Sequence, residues 1–258
     1  MMKKFQLFLF LFVSTVVLFI GNSCRPDVIV PEGEGTLTLH FNPMVDGVTL
    51  IPQSGIYTNS AQHVRFQIDM LQFYICDITI KRDDDSIIIL NGPNHVGLIK
   101  VMDIINKDFS FKLPSANYKS IGFTLGLNSA LNATQPGDYA TDHPLGIDNG
   151  NYWLMNSSYV FVKLEGLTDT TASGSGSLTN SFVYHIGTND LAPPVSYTKN
   201  FSITKDNSDT INVNMDVLAI FNGVTTIDMR TEVSTNTTDD LPLAQKFINN
   251  FVHSITIP

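Results

Sequence analysis

Cysteine is nearly absent from this chain. Only Cys24 and Cys76 occur in 258 residues, which excludes a disulfide-stapled scaffold and leaves stability to a hydrophobic core. Charge is also sparse at 15%, against 43% hydrophobic residues, so a folded globular chain is expected rather than a solvated coil. Basic residues number 15 against 24 acidic, which argues against nucleic-acid binding and against polybasic attachment to anionic lipid. There is no nucleophile elbow, no Walker glycine loop and no zincin helix, and the carboxylates fall mostly in turns. A non-enzymatic protein is therefore expected. The six histidines (His40, His63, His95, His143, His185 and His253) show no pair two to four residues apart. Any metal site must then be assembled from distant strands and loops. There is one tryptophan, Trp153.

The N-terminus carries the one long apolar run. Lys3 and Lys4 precede Phe5–Ile20, and Gly21-Asn22-Ser23-Cys24 follows. A basic n-region, a short apolar h-region and small residues before a cysteine predict a lipoprotein signal over residues 1–23. Cleavage before Cys24 would free that residue for acylation and anchor the chain to a membrane by acyl chains. The net charge of −9 becomes −11 once Lys3 and Lys4 are removed. A lipid-anchored protein of the cell envelope, facing the periplasm or the cell surface, is expected. Residues 24–35, rich in proline and glycine, read as a tether, and 36–258 as a single domain.

Within that domain, period-two alternation and turn clusters predict about ten strands. Thr36–Asn42 puts Leu37, Leu39 and Phe41 on one face and His40 on the other. Tyr57–Asn59 begins a connection. Val64–Lys81 reads as two strands with a short turn near Asp69–Leu71. Asp83–Asp85 reads as a solvated hairpin tip, since it lacks the alternate carboxylates and glycine of a calcium loop. Ser86–Leu90, Leu98–Asp103, Phe109–Leu113, Tyr118–Leu127, Tyr159–Gly166, Ser181–Ile186, Lys199–Thr204, Thr210–Met215 and His253–Ile257 read as further strands. Thr168–Thr179 is expected to be a mobile hairpin tip. Short helices are predicted at Asn128–Asn132, at Asp216–Phe221 capped by Asp216, and at Pro242–Phe251 with Asp240 as N-cap. The pattern predicts an all-β fold, a β-sandwich of immunoglobulin-like or jelly-roll-like type with two or three short helices. Cys76, inside an apolar run, reads as a buried small hydrophobe.

The candidate site centres on Asp148–Gly166. Tyr152 and Trp153 stand between the turn Asp148-Asn149-Gly150 and a core strand, as a packing plug or as the floor of a site. The long Ala133–Asn151 loop before them is of the kind that carries function. Soft donors are available in Met44, Met70, Met102, Met155 and Met215, of the type copper(I) favours together with imidazole. His185 precedes Ile186-Gly187, and a glycine there lets another backbone come close.

Four segments together resemble a known family. They are Tyr57-Thr58-Asn59 with Phe73–Ile78, then Ile121–Asn132, then Asn149–Trp153 running into Tyr159–Gly166, then Phe182–Gly187. In this order they are similar to the MbnP-like family of exported proteins, whose bacteroidete members are commonly lipoproteins. The resemblance implies a β-sandwich and a link to copper outside the cytoplasm, for acquisition or storage. It also implies a di-haem oxidase partner of the MauG type that oxidises a tryptophan to kynurenine. On this reading His185, and more weakly His40, are metal ligands, while Trp153, Tyr152 and Met155 line the site. Two departures stand out: Met155 occupies a place often held by a second tryptophan, and Thr188-Asn189-Asp190 lacks the cysteines often found there. The alternative is a surface lipoprotein without metal, recognising a protein or glycan partner through its loops.

Overall fold

The computed structural model describes residues 33–103, 107–171 and 173–258. The signal at 1–23, Cys24 and most of the tether lie outside these residues. The segment Glu32–Pro258 forms one compact unit, and no helix among the described residues is long and apolar enough to cross a membrane.

In chain order the strands are β1 (Glu34–Val45), β2 (Val48–Thr49), β3 (Tyr57–Asn59), β4 (Val64–Arg82), β5 (Ile87–Leu90), β6 (Gly97–Lys100), β7 (Asp108–Pro114) and β8 (Ala116–Leu125). The helix α1 (Ser129–Asn132) opens an irregular stretch. Then come β9 (Tyr152–Trp153), β10 (Ser158–Tyr159), β11 (Val162–Asp169), β12 (Asn180–Ile186), β13 (Pro194–Ile203) and β14 (Ser208–Asp216). The chain closes with α2 (Val217–Asn222), β15 (Ser234–Thr235), α3 (Leu241–Ser254) and β16 (Ile255–Thr256).

These strands make the expected β-sandwich. One sheet runs β16-β14-β1-β2, with β7 also on β1; the other runs β13-β8-β4-β11-β12-β15, with β3, β5 and β6 on β4. The alternation in β1 buries Leu37, Leu39 and Phe41 completely, and Ile211, Val213 and Met215 of β14 join them in the core. The sheets meet through aromatic edges. Phe41 lies 5.4 Å from Phe73 and 6.2 Å from Phe123, both T-shaped, a geometry that aligns ring edges with ring faces.

The helices complete the core. Asp216 caps α2 by accepting from the Leu218 N–H at 3.0 Å, and Asp240 caps α3 by accepting from the Leu243 N–H at 3.1 Å. Each satisfies a donor that the first helical turn leaves unpaired. In α3, Leu243, Phe247 and Phe251 form the buried stripe; Phe247 stacks on Tyr184 and Phe251 meets Phe73 edge-on.

Several expectations need correction. Val64–Lys81 is not two strands but part of one strand of 19 residues. Asp69 is an extra residue at a register shift against β11, and Asp77 takes a left-handed φ of 49°. Both are bulges, which bend a strand without reversing it. Tyr57–Asn59 is a strand paired with β4 rather than a connection. The expected strand Tyr159–Gly166 is split between β10 and β11. Val160 donates to the Asn151 carbonyl and Phe161 to that of Ile186, so the chain changes partners between them. At the C-terminus α3 extends through Ser254 and takes in His253, and only Ile255–Thr256 is strand. The β1–β14 ladder is parallel, so the sandwich is mixed.

The Thr168–Thr179 hairpin is anchored at its base. Asp169, closed to solvent, accepts from the Thr171 hydroxyl at 2.6 Å and from its N–H at 2.9 Å, and pairs with Arg65 at 3.3 Å. The Thr171 hydrogen bond is the main reason its carboxyl is held below the usual aspartate range. Asp83–Asp85 is an exposed tip, with Asp85 held by Lys81 at 2.6 Å and Lys119 at 2.9 Å.

Cys76 is fully buried. Burial, reinforced by the neighbouring Asp77, pushes its thiol up to about 12, far from the range where a reactive thiolate forms. The native chain beginning at Arg25 is therefore expected to resist iodoacetamide at pH 8 and to be alkylated fully at Cys76 in denaturant. Rapid labelling of the native protein, followed by mass spectrometry, would contradict this placement.

Candidate functional site

The candidate site lies on the outward face of the second sheet, where β6, β4, β11 and β12 run side by side. Ladder pairing sets Lys100 beside Gln72, Gln72 beside Lys163, and Lys163 beside His185. The neighbours of His185 in β12, Tyr184 and Ile186, are fully buried. Strand alternation therefore turns His185 outward.

The segment 133–151 covers much of this row and is fastened to it. Tyr74 donates its hydroxyl to the Pro144 carbonyl at 2.9 Å, and Tyr159 donates to Leu145 at 3.0 Å. Burial is the main cause raising both phenols, with Tyr159 at about 12 and Tyr74 higher still. They remain neutral donors at physiological pH. The Asn149 side-chain amide donates to the carbonyls of His143, Pro144 and Gly146. Lys163 donates from Nζ to the Gly150 carbonyl at 2.6 Å, and Gln72 donates to Asn151 Oδ1 at 2.5 Å. Covering Lys163 in this way lowers its pKa from the ordinary lysine value, because burial disfavours the ammonium.

Gly150, at a φ of 63°, reverses the chain into β9. The Tyr152 ring meets Tyr159 edge-on at 4.9 Å, and its hydroxyl donates to Gln135 Oε1 at 2.8 Å. Trp153 is half-buried and packs at Gly187. A Cβ on Gly187 would lie 2.9 Å from Trp153 Cζ3 and 2.5 Å from the Tyr159 carbonyl oxygen. The bare glycine thus admits both a backbone and the indole just beyond the end of β12. Trp153 thus packs two residues beyond His185 along the chain.

His185 is tied on two sides. Its Nε2 lies 2.7 Å from Glu165 Oε1, with side-chain exposures of 19% and 33%. Its carbonyl accepts from the Thr237 hydroxyl at 2.9 Å, which in turn accepts from the Gly187 N–H at 2.9 Å. A carboxylate on one imidazole nitrogen fixes the ring and leaves the other nitrogen as a donor to a ligand. Met70 stands opposite Glu165 in the β4–β11 ladder.

The other sequence-predicted positions do not join this corner. His40 lies on β1 in the first sheet, exposed, with Nδ1 at 2.5 Å from Asp108 Oδ1. Met155 is 99% exposed at the tip of the β9–β10 hairpin. Among the described residues no group of three or more His, Cys, Asp or Glu side chains converges to hold a metal. For copper the fit is therefore partial: one oriented imidazole with a thioether on the same face, and not a preassembled coordination sphere.

A second feature adjoins the row. Lys100, Leu98, Thr141, Asp142, Pro144, Asp148 and Asn149 line a mainly polar cleft of about 390 Å³. Sequence reasoning did not find Glu165, Lys163 or Gln72; for the cleft it pointed to the Ala133–Asn151 loop, which supplies most of the lining, but not to Leu98 and Lys100 on the other side. The available signal was the outward alternation of Lys163 and Glu165 beside a buried Val162 and Leu164.

Comparison with known proteins agrees with this architecture. No curated protein sequence matches the chain. Among solved structures, MbnP from Methylosinus trichosporium superposes with a TM-score of 0.55 at 15% identity, covering 83% of this chain and 87% of that one, a likeness of fold. The MbnP family profile matches residues 34–239, which is most of the described domain, and the chain belongs to the MbnP family.

Proposed function

We propose that this protein is a lipid-anchored binding protein of the cell envelope, attached through Cys24, that takes up copper at the corner formed by His185, Glu165 and Trp153. The observation that carries this reading is the His185–Glu165 pair at 2.7 Å, half-shielded from solvent, on the strand that runs into Gly187, where Trp153 packs. His185 would hold the ion by its free nitrogen. Met70 is the sulfur donor on the same face, and Glu165 orients the ring. Copper supplies the soft acceptor that imidazole and thioether ligands suit. The role is acquisition or storage rather than catalysis. A di-haem oxidase of the MauG type is the partner that would make Trp153 a further donor.

Copper(I) titration of the chain beginning at Arg25, beside His185→Ala and Glu165→Gln, tests the reading. Metal analysis and intact mass of protein from the native host complete it. Glu165→Gln is expected to weaken binding about 10- to 100-fold, as loss of a carboxylate behind a ligand histidine does, and His185→Ala more. Equal affinity in all three proteins would remove this corner from consideration. Native material without copper and with an unmodified Trp153 would sink the copper reading.

The polar cleft beside Lys100 favours a second reading, a glycan or protein partner held by the 141–149 segment. Its lysine, carboxylates and amide are the groups that bind hydroxyl-rich or charged surfaces. Retention on a glycan array, lost in Asp148→Ala with unchanged copper behaviour, would support this reading over the first.

A further inference from the structure

The strand β5 (Ile-Ile-Ile-Leu) is an unguarded edge. It pairs with β4 on one side, and among the described residues no strand pairs with its other side. Natural edge strands are blunted by lysine, proline or a bulge; Ile87–Leu90 contains none of these. Ile88 and Leu90 pack partly on the core. Ile87 and Ile89 are 58% and 60% exposed.

The hydrogen-bond phase of the ladder shows what the free edge offers. Arg82 donates its N–H to the Ser86 carbonyl, and the register continues Lys81–Ile87, Ile80–Ile88, Thr79–Ile89, Ile78–Leu90. Antiparallel pairs alternate between bonded and non-bonded. Ile88 and Leu90 therefore bond to β4, while the N–H and C=O groups of Ile87 and Ile89 point away from it. The residues with exposed side chains are thus also the residues with open backbone groups.

We propose that β5 is a homodimerisation edge, pairing antiparallel with β5 of a second copy about a two-fold axis through Ile88. In this register Ile87 faces the partner's Ile89, so every open N–H on one edge meets an open C=O on the other. The exposed isoleucines of both copies come onto one face as adjacent cross-strand pairs, a stabilising arrangement. The charge pattern favours the same orientation. Antiparallel pairing sets the Asp83–Asp85 turn against the uncharged Asn91-Gly92 end, whereas parallel pairing would bring two acidic turns together. Asp85 is already neutralised by Lys81 and Lys119. Because the contact is two-fold, it uses up both edges and stops at the dimer.

Sedimentation equilibrium on the chain from Arg25, which contains the whole compact unit, tests this across micromolar to millimolar concentrations. The wild type is expected to show a reversible monomer–dimer equilibrium. Ile89→Lys should weaken it at least about tenfold. Ile87→Pro should do the same, since it removes an open N–H without costing a bond to β4. Ile88→Cys should oxidise to a covalent dimer, because Ile88 meets its own counterpart in a non-bonded pair with Cα atoms about 4.5 Å apart. Circular dichroism checks that each variant folds. A wild type monomeric at every concentration, association unchanged by Ile89→Lys and Ile87→Pro, or growth beyond the dimer would each overturn the proposal.

Discussion

Replacing Phe221 with alanine is expected to cost about 3–5 kcal/mol of stability, the range for removing a large aromatic ring from a packed core. Phe221 is closed to solvent and is the ring through which α2 enters the space between the sheets. Its centroid lies 5.5 Å from Phe182, 5.8 Å from Phe66 and 6.1 Å from Tyr184. These rings belong to β12, β4 and β12, so a cavity there loosens two strands of one sheet together with the helix. Collapse to fill it is opposed because Tyr184 is fixed independently, by its hydroxyl on the Glu232 carbonyl at 2.6 Å and its stacking on Phe247. Urea unfolding followed by circular dichroism measures the loss. Met155→Ala is the control. That side chain is 99% exposed, so the change should stay within about 0.5 kcal/mol. A loss below about 1 kcal/mol at Phe221 would mean that the aromatic cluster repacks freely.

Gly187→Val is expected to dislodge Trp153. The first added carbon already falls 2.5 Å from the Tyr159 carbonyl oxygen and 2.9 Å from the indole. The carbonyl belongs to the backbone of β10, the strand that pairs with β9 and Trp153, so relieving both contacts moves this two-strand hairpin. The indole shifts with it. Overpacking of this kind costs about 1–3 kcal/mol. The readout is specific because Trp153 is the only tryptophan: its emission should shift to the red as the ring moves into water. Emission unchanged from the wild type would place the indole away from Gly187. The same variant bears on the proposed copper site, since it disturbs the indole while leaving His185 and Glu165 in sequence.

Much of this architecture was legible in the sequence where the information is local. The alternation of Leu37, Leu39 and Phe41 marks a half-buried strand by itself. Asp216 and Asp240 announce helix starts through their own side-chain chemistry. The glycine after Ile186 signals close approach because only a missing Cβ tolerates it. What failed was non-local. Asp69 in an apolar run suggested a turn, but whether an extra residue turns the chain or bulges depends on the neighbouring strand, and pairing with β11 on both sides of it keeps β4 from reversing. The His185–Glu165 pair depends on the register between β11 and β12. The separation of His40 from His185 depends on which sheet each strand joins. Neither is written in the residues themselves, and a hairpin tip rich in small polar residues gave no sign that Asp169 would be clamped at its base.

The parallel ladder between β1 and β14 has a consequence for how this chain comes to be folded. Asn42 and Asn212, bonded through their side-chain amides, are 170 residues apart. Parallel partners this distant must close a long loop before any contact rewards it, which makes folding slow. A chain synthesised N-terminus first therefore presents β1 early and cannot complete its pairing until residues near 210 have emerged. Until then Leu37, Leu39 and Phe41 have only β7 for a neighbour in their sheet. The first sheet is therefore completed late, when β14 arrives, whereas β4, β8, β11, β12 and β13 of the second sheet already have their antiparallel partners by residue 203.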